Sequence, residues 1–261
     1  MIALDASTAA WLHGLLEYLG IGVGMALYRR ALRADATDPP AAGSVLAPGR
    51  FAVMVGLLAG AALGNKAVYL AERPDVAAAW LAGQPAPLGQ SIVGGLLGGL
   101  IGVELAKAWT GQKASTGDAM VLPLAVGLMI GRVGCFLAGL HDDTYGLPTA
   151  LPWGVDQGDG VARHPVALYE IGFVALLAAG LWRSREPLAR APGLRFKLFL
   201  AAYLLWRLLV DGLKPVPVVY PLGLSGIQWT CALALLLYLP WVARAWRQAV
   251  TPNVMAKETP A

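Results

Sequence analysis

The sequence predicts an all-α protein, a polytopic membrane helix bundle of seven transmembrane helices. Three observations carry that expectation. Of 261 residues, 57% are hydrophobic and 14% charged, where soluble domains carry about 25% charged residues, and the mean hydropathy is +0.59. Apolar runs near the length needed to cross a bilayer as a helix, roughly 20 residues, recur along the chain. The basic residues gather in alternate connections between those runs. The net charge of +4 is therefore no nucleic-acid signal, because in a membrane protein placement matters more than the sum.

The first span, at 11–28, follows MIALDAST, which lacks the basic start of a cleaved leader, so the span is expected to stay in the mature chain. The second covers 51–71. The third, at 91–109, opens on SIVGGLLGGLIG, whose two Gly pairs permit tight packing or a discontinuous helix near a ligand. The fourth, at 119–138, contains Arg132 within an otherwise apolar run. The fifth, at 165–182, begins at Pro165, an expected place for proline in a helix. The sixth and seventh cover 196–213 and 226–243.

The segments after the first, third, fifth and seventh spans hold 14 basic residues, among them Arg29, Arg30, Lys107, Arg183 and Arg244. The opposite side has only Arg73, Arg163 and Lys214. The positive-inside rule then places the N-terminus in the periplasm and the C-terminus in the cytoplasm. The expected organisation is a single transmembrane domain over 1–247, a short periplasmic cap loop at 139–164 and a disordered cytoplasmic tail at 248–261.

Cys135 and Cys231 lie far apart in apolar runs and read as free thiols. Neither a zinc-ligand spacing nor a phosphate-binding loop is present in the sequence, and no cofactor or metal is expected. His141, Asp142, Asp143, Asp156 and Asp159 read as a solvated acidic loop in preference to a site for a hard cation.

The charges at membrane depth are the candidates for chemistry. Placing Arg132 there costs at least about 2.5–3.5 kcal/mol, and Lys66 and Arg207 share the problem. Arg132 sits in GRVGCFLAG, where Gly131 and Gly134 narrow the helix for a ligand or a neighbouring backbone. Its planar fork suits a phosphate, and a structural pair with Glu104 or Asp211 is the alternative. In RHPVALYE, Arg163 and His164 lie at the interface. Glu170 lies inside the membrane, where Arg132 or Arg207 is the expected partner. Arg207 and Asp211, spaced i, i+4, can pair on one helix face. His13 and Glu17 have the same spacing and form either an acid–base pair or an interface pair. Glu104 and Lys107 read as structural or snorkelling.

Five segments taken in order resemble the bacterial prolipoprotein diacylglyceryl transferase family over about residues 12–243. GRVGCF resembles its GRxGNF signature, RHPVALYE its RHPxQLYE, and SIVGGLLGGLIG its glycine-rich third segment. WRLLVDGLKP resembles its FRxxxExxRxP segment, and SGIQ its MGQ. The resemblance implies a transferase of the bacterial inner membrane that moves a diacylglyceryl group from phosphatidylglycerol to a lipobox cysteine thiol and releases glycerol phosphate. Its partners would be that anionic phospholipid and a prolipoprotein signal peptide.

Carried over, Arg132 and Arg207 would hold the headgroup, Glu170 and Asp211 would support them, and Gly131, Gly134 and Gly146 would shape the pocket. Lys66, Tyr203 and Arg163 complete the expected substrate-binding set. The match departs where the family's His aligns with Val93, its signature Asn residues with Cys135 and Ala138, its following acid with Leu140, and its first-span Tyr with His13. His164 or His13 would then act as base, with Glu170, Asp142 and Asp143 completing the expected catalytic set. A non-catalytic phospholipid-binding or transport protein on the same scaffold is the alternative.

Overall fold

The computed structural model describes residues 4–34, 48–86, 88–142 and 144–250. Nine α-helices account for most of them. They are α1 (Ala6–Ala34), α2 (Pro48–Glu72), α3 (Pro74–Leu81), α4 (Ile92–Thr110), α5 (Val121–Ala138), α6 (Val166–Arg183), α7 (Arg185–Leu188), α8 (Leu194–Val210) and α9 (Gly226–Val250). Two two-residue strands, β1 (Val155–Asp156) and β2 (Ala162–Arg163), pair antiparallel. Among the described residues six helices are long and apolar enough to cross a membrane, beginning near Ala6, Gly49, Ile92, Asp118, Val166 and Gly226. The expected sixth span corresponds to α8, whose 17 residues rise about 25 Å, and it is not among those six. Helix α9 continues to Val250, three residues into the expected tail, and 251–261 lie outside the described residues.

Helices α2 and α4 cross with almost no side chain between them. Gly56, Gly60 and Gly64 of α2 face Gly102, Gly98 and Gly94 of α4, and a methyl added at any of them would overlap the opposing backbone carbonyl. Small residues at every fourth position let two helix backbones approach this closely. Helices α1 and α5 pack similarly, with Gly20 against Gly127 and Gly24 against the Pro123 carbonyl.

Helix α8 is the most enclosed. Phe199, Leu200, Tyr203 and Leu204 on it are fully buried. Phe199 and Tyr203 join a core with Val121 and Val174, and Leu200 and Leu204 join another with Val93 and Cys231. The start of α8 is fixed by Asp118, whose carboxylate accepts from Gly193 N at 2.7 Å and Phe196 N at 3.0 Å. The start of α9 is a reciprocal cap formed by SGIQ: Gln228 N donates to Ser225 Oγ at 3.0 Å, and Ser225 N donates to Gln228 Oε1 at 2.9 Å.

The loop after α5 folds back over one end of the bundle. Leu147 N donates to the carbonyl of Leu213 at 2.8 Å, and His164 N to that of Leu147 at 3.0 Å. His141 Nε2 lies 3.0 Å from the Leu4 carbonyl oxygen, so the start of α1 shares that end. Asp5 caps α1 by accepting from Ser7 N and Thr8 N, each at 3.0 Å. The hydroxyls of Ser7 and Thr8 also donate to it, and these bonds hold its carboxyl well below the usual carboxylate range.

Candidate functional site

The last turn of α8 meets α5 and α6 in a cluster of buried charge. Glu170, on the second turn of α6, is fully buried, and Arg132, Arg207 and Asp211 are each 3% exposed. Arg132 Nε lies 2.9 Å from Glu170 Oε1, and Arg207 Nη1 lies 3.9 Å from Glu170 Oε2. Thus both cations named from sequence as candidate partners of Glu170 reach it, and Arg132 pairs with neither Glu104 nor Asp211. Tyr203 donates its hydroxyl to Glu170 Oε1 at 2.6 Å. Arg207 Nη2 donates to Asp211 Oδ1 at 3.0 Å, the pair that the i, i+4 spacing predicts. Asp211 Oδ2 accepts from Ser225 Oγ at 2.6 Å, and Lys214 Nζ lies 3.8 Å from Asp211 Oδ1.

The cluster's buried charged groups are Arg132, Arg207, Lys214, Glu170 and Asp211, and the partly buried carboxyl of Glu72 lies beside Asp211, Arg207 and Lys214. The Nε atoms of Arg132 and Arg207 and Glu170 Oε2 are buried without a hydrogen-bond partner. The contact of Arg132 Nε with Glu170 thus has the distance of an ion pair but not the angle of a hydrogen bond. Burial together with the neighbouring Arg207 and Arg132 pushes the Lys214 ammonium down to about 8.

A second cluster adjoins the first across Arg132. Arg132 Nη1 donates to Cys135 Sγ at 3.5 Å, and Sγ lies 3.7 Å from His13 Nε2. His13 Nδ1 in turn lies 3.8 Å from Asp142 Oδ2, which also accepts from Thr144 Oγ1 at 3.0 Å. Gly134 makes the approach possible, because a methyl there would sit 3.3 Å from His13 Cα and Cδ2. The expected pairing of His13 with Glu17 does not form. Glu17 instead accepts from Gln90 Nε2 at 3.5 Å, while His13 turns toward α5.

Other expected site residues stand apart. Lys66 donates to the Gly89 carbonyl at 2.9 Å, while Asn65 beside it accepts from Ser91 N at the cap of α4. Arg163 pairs with Asp159 and lies over the Tyr145 ring, bracing the loop, and that pairing lowers the Asp159 carboxyl. His164 Nδ1 lies 3.4 Å from the Tyr169 hydroxyl, and its carbonyl packs against Gly146. Gly131 faces open space. Asp143 lies outside the described residues. Val93 is fully buried in an apolar core, where no base can act.

A cavity of about 1130 Å³ opens at the opposite end of the bundle and is lined by Arg50, Lys107, Arg195 and Phe196 among others, but by neither Arg132 nor Arg207. The arginines are instead closed over by their acid partners.

Sequence reasoning missed Lys214, Ser225 and Cys135 as site residues. The i, i+3 spacing of Asp211 and Lys214 and the capping pattern of SGIQ were available signals. The meeting of Cys135 with His13 had none, since the two are 122 positions apart.

Comparison with known proteins gives the chain its family. Residues 2–244 match the family model of prolipoprotein diacylglyceryl transferase. A phosphatidylglycerol–prolipoprotein diacylglyceryl transferase of Bordetella parapertussis is 31% identical over 214 residues, 76% of either chain. Its namesake in Geobacter sulfurreducens is 31% identical over 219 residues, 76% of this chain and 75% of that one. The Ruegeria pomeroyi protein of that name is 30% identical over 249 residues, 82% and 79% respectively. With its family model matched almost end to end and its apolar helices those of a membrane protein, this chain belongs to the prolipoprotein diacylglyceryl transferase family.

Proposed function

We propose that the chain is a seven-span protein of the bacterial inner membrane, with its N-terminus periplasmic and its C-terminus cytoplasmic. It transfers the diacylglyceryl group of phosphatidylglycerol to the cysteine thiol of a prolipoprotein signal peptide. The relatives' names supply the substrates. Helix α8 is counted as the seventh span because its neighbours enclose it, and an enclosed helix needs less apolar length toward lipid.

The observation that carries the reading is a pair of buried guanidinium groups whose hydrogen bonds are not all filled within the protein. Buried charge is costly unless paired, and buried polar atoms without partners call for an explanation. Three buried cations face two buried carboxylates and the partly buried Glu72, and neither guanidinium Nε makes a hydrogen bond, that of Arg132 meeting Glu170 only as an ion pair. A phosphodiester brings negative charge and several acceptor oxygens.

In this reading Arg132 and Arg207 exchange part of their contact with Glu170 for the headgroup phosphate. Tyr203 and Asp211 keep the displaced carboxylate and guanidinium in place. The acceptor thiolate attacks the glyceryl carbon, that carbon's bond to the phosphate oxygen breaks, and the electron pair leaves with glycerol phosphate. The arginines stabilise that charge where water is excluded.

The test is purified full-length protein with labelled phosphatidylglycerol and a lipobox peptide. Lipidated peptide and glycerol phosphate are expected in equal amounts. Arg132→Gln should lower the rate about 100- to 1,000-fold. Retention of phospholipid without any product would contradict transfer and favour a binding protein.

A further inference from the structure

We propose that His13, Cys135 and Asp142 form a zinc site whose open fourth position takes the thiol of the acceptor, an inference that rests on the transferase reading. The three residues come from α1, the last turn of α5 and the loop just beyond it. One ligand atom from each lies within 4.8 Å of those from the other two.

The spacing suits a tetrahedral metal. Cys135 Sγ lies 3.7 Å from His13 Nε2, within reach of a hydrogen bond to sulfur, and Asp142 Oδ2 lies 3.8 Å from Nδ1 on the other side of the ring. Zinc bonds of about 2.3 Å to sulfur and 2.0–2.1 Å to nitrogen, joined at a tetrahedral angle, put the two ligand atoms about 3.6 Å apart. Asp142 closes the set by a side-chain rotation toward the ring nitrogen that holds the ion.

The donor types select the ion. Thiolate and imidazole suit zinc, whereas calcium and magnesium take oxygen. With Zn²⁺, the Cys135 thiolate and the Asp142 carboxylate make a neutral centre. Arg132 donates to Sγ from outside it. The His13 side chain is 33% exposed, which leaves a face open at the loop-covered end.

Three protein ligands with an open position are the pattern of a reactive zinc centre, and a coordinated thiol is deprotonated outright. The acceptor thiol gives its proton to water at the mouth as it binds. Its sulfur then forms the bond to the glyceryl carbon while the carbon–oxygen bond to phosphate breaks beside Arg132. The site does the work of a general base where Val93 provides none.

The experiment uses the full chain purified without a polyhistidine tag, loaded with Zn²⁺ or Co²⁺ and assayed for metal by mass spectrometry. Stoichiometric zinc is expected. It should fall at least tenfold in Cys135→Ser, His13→Gln and Asp142→Asn, and stay in Cys231→Ser, the other buried cysteine. Asp142→Asn, in a loop, guards against a folding defect in the helix variants. The cobalt form should show a sulfur-to-metal charge-transfer band that shifts on adding the lipobox peptide and not its Cys→Ser version. Zinc-free protein that transfers lipid, a covalent lipid adduct on Cys135, or zinc retained in all three variants would overturn the site and leave the transferase reading standing. A metal centre with the expected spectra in a protein that transfers nothing would overturn the transferase reading and leave the zinc site.

Discussion

Two ion pairs of nearly equal length occupy opposite halves of this bundle. Arg132 and Glu170 meet at 2.9 Å with side chains 3% and 1% exposed, and Lys107 and Glu104 meet at 3.0 Å with side chains 12% and 59% exposed. The first joins two helices within a network of buried charges. The second joins neighbours on one helix beside a cavity open to water. Distance does not distinguish them, but burial does. A solvated pair contributes about 0–1 kcal/mol, whereas removing one partner of a buried pair costs about 3–5 kcal/mol. Chemistry that depends on an unscreened cation is therefore possible at Arg132 and not at Lys107.

The largest expected effect breaks the buried pair from its acid side. Glu170→Gln leaves Arg132 and Arg207 without their shared carboxylate and should destabilise the protein by about 3–5 kcal/mol, read as a fall in the unfolding midpoint in detergent. Anionic lipid should restore part of that loss and a zwitterionic lipid none. An unchanged midpoint would show that the network is already broken in membranes.

Next comes the glycine seam that sets α4 at its depth. Gly98→Val places branched carbons against the carbonyl of Gly60 and should cost about 1–3 kcal/mol. Gly131→Ala, which meets open space, should leave the midpoint within about 0.5 kcal/mol.

A smaller effect is a pH dependence carried by Lys214. Its ammonium titrates near 8, below the usual lysine value, so the folded protein holds this proton less tightly than an unfolded chain does. Stability should rise as pH climbs from about 8 toward 10.5, since the unfolded state binds more protons there. Binding of an anion that needs the proton runs the other way, falling by up to about tenfold per pH unit above 8. Lys214→Gln should flatten that decline in a lipid-binding titration, while Arg207, Asp211, Arg132, Glu170 and Glu72 around it are unchanged. The smallest effect belongs to Glu104→Gln, expected at no more than about 1 kcal/mol and without effect on lipid binding.

What the sequence disclosed follows from how local each signal is. Apolar runs and the Arg207–Asp211 spacing depend on near neighbours, and the structure shows apolar helices and that pair. The partner of Glu170 could be narrowed to Arg132 or Arg207 by burial cost alone, but that both reach it depends on how α5, α6 and α8 converge. The glycines of α4 were visible as a packing signal. Their partners on α2 have the same four-residue spacing, yet only the crossing of the helices reveals that the two rows face each other. His13 was misassigned to Glu17 because spacing along one helix is readable, whereas the approach of α1 to α5 over Gly134 is not. Depth and the family resemblance group Lys66 with the arginines, whereas the structure ties it to the loop before α4.

The central claim is that the buried guanidinium groups of Arg132 and Arg207 take an anionic headgroup. Native mass spectrometry of full-length protein purified from mixed lipid, with phosphatidylglycerol and phosphatidylcholine present in equal amounts, tests it most directly. Wild-type protein should retain phosphatidylglycerol selectively, and Arg132→Gln and Arg207→Gln should lose that selectivity while Glu104→Gln keeps it. Equal retention of both lipids by wild-type protein, or selectivity that survives loss of both arginines, would contradict the account.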